Sequence, residues 1–432
     1  MTLPVFALID GNNFFASCER VFQPELRGQP LVVLSNNDGC AIARSDEAKA
    51  LGVRMAQPIH EVPPAVRRQL AIRSANFTLY GDMSARILAI LREMVPRVES
   101  YSIDESFLDL TGIPERAAFC RELRDRIYRW TGIPSCVGIG ATKTLAKLGN
   151  LVAKTTTRKP GSYPAALGGV ADLSALSPPA LVQVLAATPV GELWGVGPRW
   201  AAKLHGMGIE TALQLRDARQ DLILETFGVV LARTQRELAG EPCLALEEVE
   251  PARQQIMVSR SFGERVEDHK AISEAFATFA VRACEKLRAR GLVAGAVGIF
   301  ANTDPFRPEL CQHHPQRTTG LPRPTSDFRA ILETIRQMQR GFLKAGFAYK
   351  KAGVWLMDLS CPDLLQPDLF APLTIGDDGL MQTMDAINRR FGRGTVGVGA
   401  TGWQARPQWG MRQANLSPNF TTSLRDLPRA IC

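Results

Sequence analysis

Apolar positions fall in short runs that alternate with helix-period segments, a pattern of mixed α and β structure. The run from Val5 to Ile9 stops at Asp10 and Gly11 and is followed by FFASCERVF, which predicts a strand, a turn and a helix. A second strand, QPLVVLSN, leads through NNDG into a helix at DEAKAL that Gly52 closes as a C-cap would. The helix GDMSARILAILREMV precedes strand-like VESYSIDESFLDL, a helix at RAAFCRELRDRIYRW and a third strand at SCVGIGA, so strands and helices interleave around one sheet. Beyond the loop TTTRKPGSYPAALGG, short helices from Leu173 to Ala239 predict a separate helical module. From Gln254 to Leu359 the order is strand, long helix, strand, helix, strand, which is a second α+β unit. After Ser360 the chain is rich in Gly, Pro, Arg and Gln with few apolar periods, and is expected to be partly extended or disordered alone.

A chain of 432 residues exceeds one compact core, and domain-size scaling divides it into about three or more units. An apolar fraction of 45% and a charged fraction of 22% suit a globular protein. No apolar run approaches the roughly 20 residues of a spanning helix. MTLPVFALID lacks a basic flank and a long apolar stretch, so it reads as a first strand rather than a signal peptide, and a cytoplasmic location is expected. Nine cysteines, scattered from Cys18 to Cys432 without a close CxxC pair, argue against a disulfide framework or a structural zinc site. Cys311, His313 and His314 sit together but lack a second pair of ligands, so they read as a loop.

Charge changes the picture more. A net charge of +8 and a pI near 9.1 fit a polyanionic partner. Gly140 to Pro160 holds five Lys or Arg residues and no acid, and six Arg residues with no acid lie between Asp385 and Asp426. Against that background, Asp104 and Glu105 interrupt an otherwise buried-looking strand, and Asp10 ends another. Three hard oxygen ligands on neighbouring strands would bind a pair of Mg²⁺ ions suited to in-line phosphoryl transfer. On spacing alone, Asp10 and Asp104 could equally cap turns at strand ends.

The strings DGNNFFASCE and YSIDESFLDL resemble the two carboxylate motifs of the Y-family translesion DNA polymerases, in particular their UmuC-type branch. NNDGCAIARSDEAKALGV, VGIGATKTLAKLGN, LWGVGPRWAAKL and RSFGERV follow in the family's order and extend the resemblance over nearly the whole chain. It implies an α+β, multidomain right-hand polymerase. The ferredoxin-like palm would occupy residues 1–20 and 76–165, small fingers 21–75, a helical thumb with a helix-hairpin-helix 166–242, an α+β little finger 243–360, and a partner-binding, basic tail 361–432.

By that resemblance Asp10, Asp104 and Glu105 are the catalytic carboxylates, and with the carbonyl of Gly11 they bind two Mg²⁺ ions. The primer 3′-hydroxyl attacks the α-phosphate of a deoxynucleotide, and no protein nucleophile is implied. Phe15 occupies the sugar-sensing position, with Phe14 packing beside the nucleotide; Lys49 and Lys154 match positions that contact the triphosphate. Asp46 departs from the pattern, since many relatives place Tyr beside this cation. Gly195 and Gly197 would bring backbone amides to a DNA phosphate, and Arg260, Arg265 and Lys286 would grip the duplex backbone. Gln366, Leu369 and Phe370, in QPDLF, are similar to the peptide by which bacterial polymerases hold the sliding clamp. The implied partners are primer-template DNA, deoxynucleotides, a UmuD-type dimer, a RecA filament and the clamp, with no membrane. Two other classes share features: a nucleotide cyclase would use the paired carboxylates without the helix-hairpin-helix, and a DNA-binding scaffold would keep the basic surface without the carboxylates.

Overall fold

A computed structural model of the chain describes residues 4–247, 253–364, 378–392, 394–402 and 407–427. It divides into two compact units. One comprises Met1–Ser35, Cys40–Glu250 and Asn415–Cys432, and the other Asn36–Gly39 and Pro251–Ala414.

The first unit begins with β1 (Phe6–Gly11), α1 (Phe14–Phe22), β2 (Leu31–Leu34), β3 (Ala41–Arg44), α2 (Asp46–Ala50), α3 (Pro64–Arg67), β4 (Ala71–Ser74) and α4 (Phe77–Met94). It continues with β5 (Val98–Ser100), β6 (Glu105–Asp109), α5 (Arg116–Thr131), β7 (Ser135–Gly140), α6 (Lys143–Arg158) and β8 (Val170–Asp172). The main sheet has the order β5-β6-β1-β7-β8 and a smaller one the order β3-β2-β4. Every residue of β1 is buried because helices cover both faces of the sheet. Ala7 and Ile9 pack with Leu91 of α4 and Leu123 and Ile127 of α5, whereas Phe6 and Leu8 pack with Ala146 of α6. On the α6 side, a Cβ on Gly138 would lie 1.9 Å from the backbone nitrogen of Asn150, so only glycine lets helix and strand come this close.

The run VESYSIDESFLDL, expected as one strand, is a hairpin: the amides of Tyr101 and Ser102 both donate to the Glu105 carbonyl, at 3.1 and 3.0 Å, and reverse the chain. β3, β4 and β8 were not expected; each has only three or four residues, too few for a period-2 pattern to register. β8 joins the main sheet inside the segment assigned by sequence to the thumb. Five helices follow, α7 (Pro178–Ala187), α8 (Pro198–His205), α9 (Ala212–Asp217), α10 (Gln220–Phe227) and α11 (Val229–Leu238). Their core of Leu185, Leu204, Leu215, Ile223 and Leu231 is continuous with Leu148 and Val152 of α6.

The second unit contains β9 (Ile256–Val266), α12 (His269–Arg288), β10 (Val293–Thr303), β11 (Gln316–Thr325), α13 (Phe328–Met338), β12 (Tyr349–Ser360) and α14 (Asp378–Phe391). Its antiparallel sheet runs β11-β10-β12-β9, one strand more than expected. The added strand, β11, lies at the edge, is mostly exposed and contains Pro322 and Pro324, so it carries no apolar alternation. The tail also departs from expectation: α14 places Met381 in the core of this unit, and Asp385 accepts two hydrogen bonds from Arg288 at 2.7 and 2.8 Å. Among the described residues, no helix is long and apolar enough to cross a membrane.

Candidate active site

The antiparallel register of β1 and β6 sets Asp10 opposite Glu105, and the Gly11 amide donates to the Asp104 carbonyl at 2.9 Å. Asp104 is the last residue of the hairpin turn and Glu105 the first of its strand, so strand pairing alone brings the three carboxylates together at one end of the two central strands. Their side chains are turned to other partners. Asp10 meets Lys154 Nζ at 2.5 Å, Glu105 meets Lys147 Nζ at 2.9 Å, and Asp104 accepts from the Ser102 hydroxyl at 2.7 Å. Among the described residues no group of three or more His, Cys, Asp or Glu side chains is therefore arranged as a ready-made metal cage.

Burial pushes the Asp10 carboxyl up to about 6; Lys154 opposes the rise, and the charges of Asp104 and Glu105 add to it. The two lysines lie seven residues apart on α6, which places them on one helix face. Lys147 was not singled out from the sequence, although that spacing beside a charged strand end was there to be read. Its ammonium also lies 4.3 Å from the Tyr101 ring centroid and 5.2 Å from that of Trp194.

Phe14 is buried against Gly11, where an added Cβ would approach its ring to 2.9 Å. Phe15 is only partly buried. Its ring stacks on Tyr80 at 4.5 Å between centroids and 13° between planes, and meets Phe77 edge-on at 5.9 Å. Tyr80 donates to the fully buried Glu19 at 2.7 Å.

Lys49 donates to Asn13 Oδ1 at 2.5 Å and to Asp46 at 3.0 Å. Arg158, from the end of α6, reaches the same two residues at 3.2 and 3.3 Å. Asp46 thus sits between two cations, and Arg158 is a basic group that the sequence reading did not single out. Burial holds the Lys49 ammonium below its ordinary value, Asp46 opposes this, and Arg158 deepens it.

Gly195 takes a left-handed conformation (φ 85°), and Gly197 stands at the N-cap of α8, where no side chain caps the helix. A Cβ at either position would meet nothing within 4 Å, so this loop backbone is open. Adjacent Trp194 donates to the Tyr101 hydroxyl at 3.2 Å and packs on Phe107, which ties the loop to the hairpin carrying Asp104 and Glu105.

In the second unit, Arg260 and exposed Arg265 lie on β9. Burial lowers the Lys286 ammonium, and the positive charges of Arg282, Arg260 and Arg290 lower it further, so these residues form one basic cluster. His313 bonds the Tyr349 hydroxyl at 2.6 Å. Gln366, Leu369 and Phe370 lie outside the described residues.

Residues 9–150 match the impB/mucB/samB family, and residues 253–369 match that family's C-terminal domain. Residues 378–430 match a domain of unknown function, DUF4113. The chain is 43% identical to the protein UmuC of Salmonella typhimurium, over 98% of this chain and 100% of that one. It is 42% identical to the protein ImpB of Salmonella typhimurium over 99% of each, and 27% identical to DNA polymerase IV 1 of Bacillus subtilis over 91% and 92%. A chimera of the Y-family DNA polymerases Dbh and Dpo4 superposes with a TM-score of 0.64 at 20% identity, covering 83% of this chain and 99% of that one, a likeness of fold.

Proposed function

The chain belongs to the impB/mucB/samB family, the UmuC-type branch of the Y-family polymerases, and on that premise we propose that Asp10, Asp104 and Glu105 are its catalytic carboxylates. It is an error-prone DNA-dependent DNA polymerase that performs translesion synthesis. The observation that carries the residue assignment is the register that sets Asp10 against Glu105, with Asp104 bonded to Gly11, in a buried site whose negative charge is offset by two lysines.

Polymerases of this family use divalent cations. The donor set here fits Mg²⁺, because it consists of hard carboxylate oxygens beside the backbone of Gly11, with Asp10 and Glu105 set opposite one another by the strand register. Asp10, Asp104, Glu105 and the Gly11 carbonyl would hold two Mg²⁺ ions, which when bound supply charge neutralisation at the attacking 3′-hydroxyl and the departing pyrophosphate. Lys154 and Lys147 hold Asp10 and Glu105 at the ends of their strands. Phe15 lies under the deoxyribose and excludes a 2′-hydroxyl, with Phe14 filling the space behind it. Lys49 and Arg158 attract the triphosphate, which competes with Asp46 for them. The open backbone at Gly195 and Gly197 offers amides to a DNA phosphate, and Arg260, Arg265 and Lys286 bind the duplex without reading sequence. Gln366, Leu369 and Phe370 hold a sliding clamp, and a UmuD-type dimer and a RecA filament complete the working enzyme.

Asp104→Ala and Glu105→Ala are each expected to cut Mg²⁺-dependent primer extension by at least about a thousand-fold, with primer-template affinity changed no more than a few-fold and circular dichroism unchanged. Extension at the original rate in either variant would remove these residues from the reaction. The same assay separates a polymerase from a cyclase or a scaffold.

A further inference from the structure

A segment near the carboxyl end of the described chain is built into the first unit beside the sugar-selecting ring. Ser74 at the end of β4 bridges in parallel to Leu416, its amide donating to the Asn415 carbonyl at 2.9 Å and its hydroxyl accepting from the Asn415 amide at 3.0 Å. The Asn76 side chain, which caps α4, donates to the carbonyls of Ser417 and Pro418 at 3.1 and 3.2 Å. Phe420 is buried and stacks on Phe22 of α1, with centroids 5.1 Å apart. The Ser417 hydroxyl donates at 3.0 Å to Glu19 Oε1, the same oxygen that accepts from Tyr80 at 2.7 Å.

An unbroken line of contacts therefore runs from Ser417 through Glu19 and Tyr80 to Phe15. Glu19, Tyr80 and Ser417 are all buried. Among the described residues Glu19 Oε2 has no hydrogen-bond partner, which leaves Oε1 to hold the carboxylate in place. A close-packed interior passes displacements on rather than absorbing them. Because Phe15 stacks on Tyr80, a shift of the Tyr80 ring bears directly on Phe15.

We propose that residues 415–420 are a positioning strap for the sugar-selecting ring. By fixing Glu19, and through it Tyr80, the strap sets the position of Phe15, so selection between deoxyribonucleotides and ribonucleotides is tuned from the far end of the sequence. The inference rests on the reading of Phe15 as the sugar-contacting residue. Ser417 and Glu19 act through other groups and are positioning residues.

The test is single-nucleotide incorporation by the full chain on primer-template with Mg²⁺, measuring kcat/KM for dCTP and for rCTP opposite template guanine. Ser417→Ala is expected to lower the deoxy-to-ribo ratio about five-fold, the scale of one buried hydrogen bond, and Ser417→Thr to restore it. Phe420→Ala, which loosens the strap without touching Glu19, should lower the ratio in the same direction. A ratio unchanged in both Ser417→Ala and Phe420→Ala, while Phe15→Ala collapses it, overturns the strap and leaves the Phe15 reading standing. A ratio unchanged in Phe15→Ala itself overturns that reading, and the strap with it.

Discussion

Glu19 shows what one residue can hide. Burial raises its carboxyl above the ordinary glutamate value; hydrogen bonds from Tyr80 and Ser417, and the charge of Arg73, oppose the rise. A carboxyl raised on folding binds its proton more tightly in the folded state, so wild-type stability falls as pH rises from the ordinary glutamate range through the raised value, and the loss is complete above it. Glu19→Gln keeps an oxygen for Tyr80 and Ser417 and removes the charge. It is therefore expected to gain about 1 kcal/mol at neutral pH, a gain that disappears on acidification into the ordinary glutamate range, as read from thermal melts. A loss of stability at every pH would contradict this. Glu19 was invisible in the sequence because its partners lie 61 and 398 positions away, and no local pattern reports them. That Asp10, Asp104 and Glu105 lie at neighbouring strand ends was legible for the opposite reason, since charges at the ends of apolar runs stand out against their own neighbours, although spacing alone left their role open.

At the level of elements, the geometry of the proposed catalytic carboxylates depends on how closely α6 lies on β7. Gly138 faces the helix backbone, and Gly149 returns the approach, its added Cβ meeting the Gly138 Cα at 2.9 Å. Gly138→Ala must push the helix away and take Lys147 and Lys154 with it. A loss of about 3 kcal/mol or more in urea unfolding is expected, together with loss of primer extension; unchanged stability would mean that the helix moves freely. The strand and helix of this pair were legible from sequence as SCVGIGA and KTLAKLGN, whereas their separation was not, because glycine spacing alone does not say which glycine faces which element. The hairpin carrying the carboxylates was likewise read as one strand, because Tyr101 and Ile103 continue the apolar run through a turn that Ser102 and Asp104 form.

Across the whole molecule, the proposed DNA contacts are distributed over separate sites, so their signature is salt dependence rather than any single contact. Arg260→Ala combined with Lys286→Ala should reduce the slope of log affinity against log salt by about 2, at roughly 0.9 per phosphate contact released. Fluorescence anisotropy across a salt series measures this, and an unchanged slope would place the cluster away from the DNA. The second α+β unit was legible from the change of pattern after Gln254; the return of residues 415–420 to the first unit was not, since that segment has almost no apolar period of its own. That return also orders events during synthesis. Pro251–Ala414 leaves the ribosome before Asn415 does, so the N-terminal module has to wait for its closing piece. Until residues 415–420 emerge, Phe22 lacks its stacking partner and Glu19 one of its two donors. A chain broken anywhere in the intervening module keeps an open core, which proteases recognise.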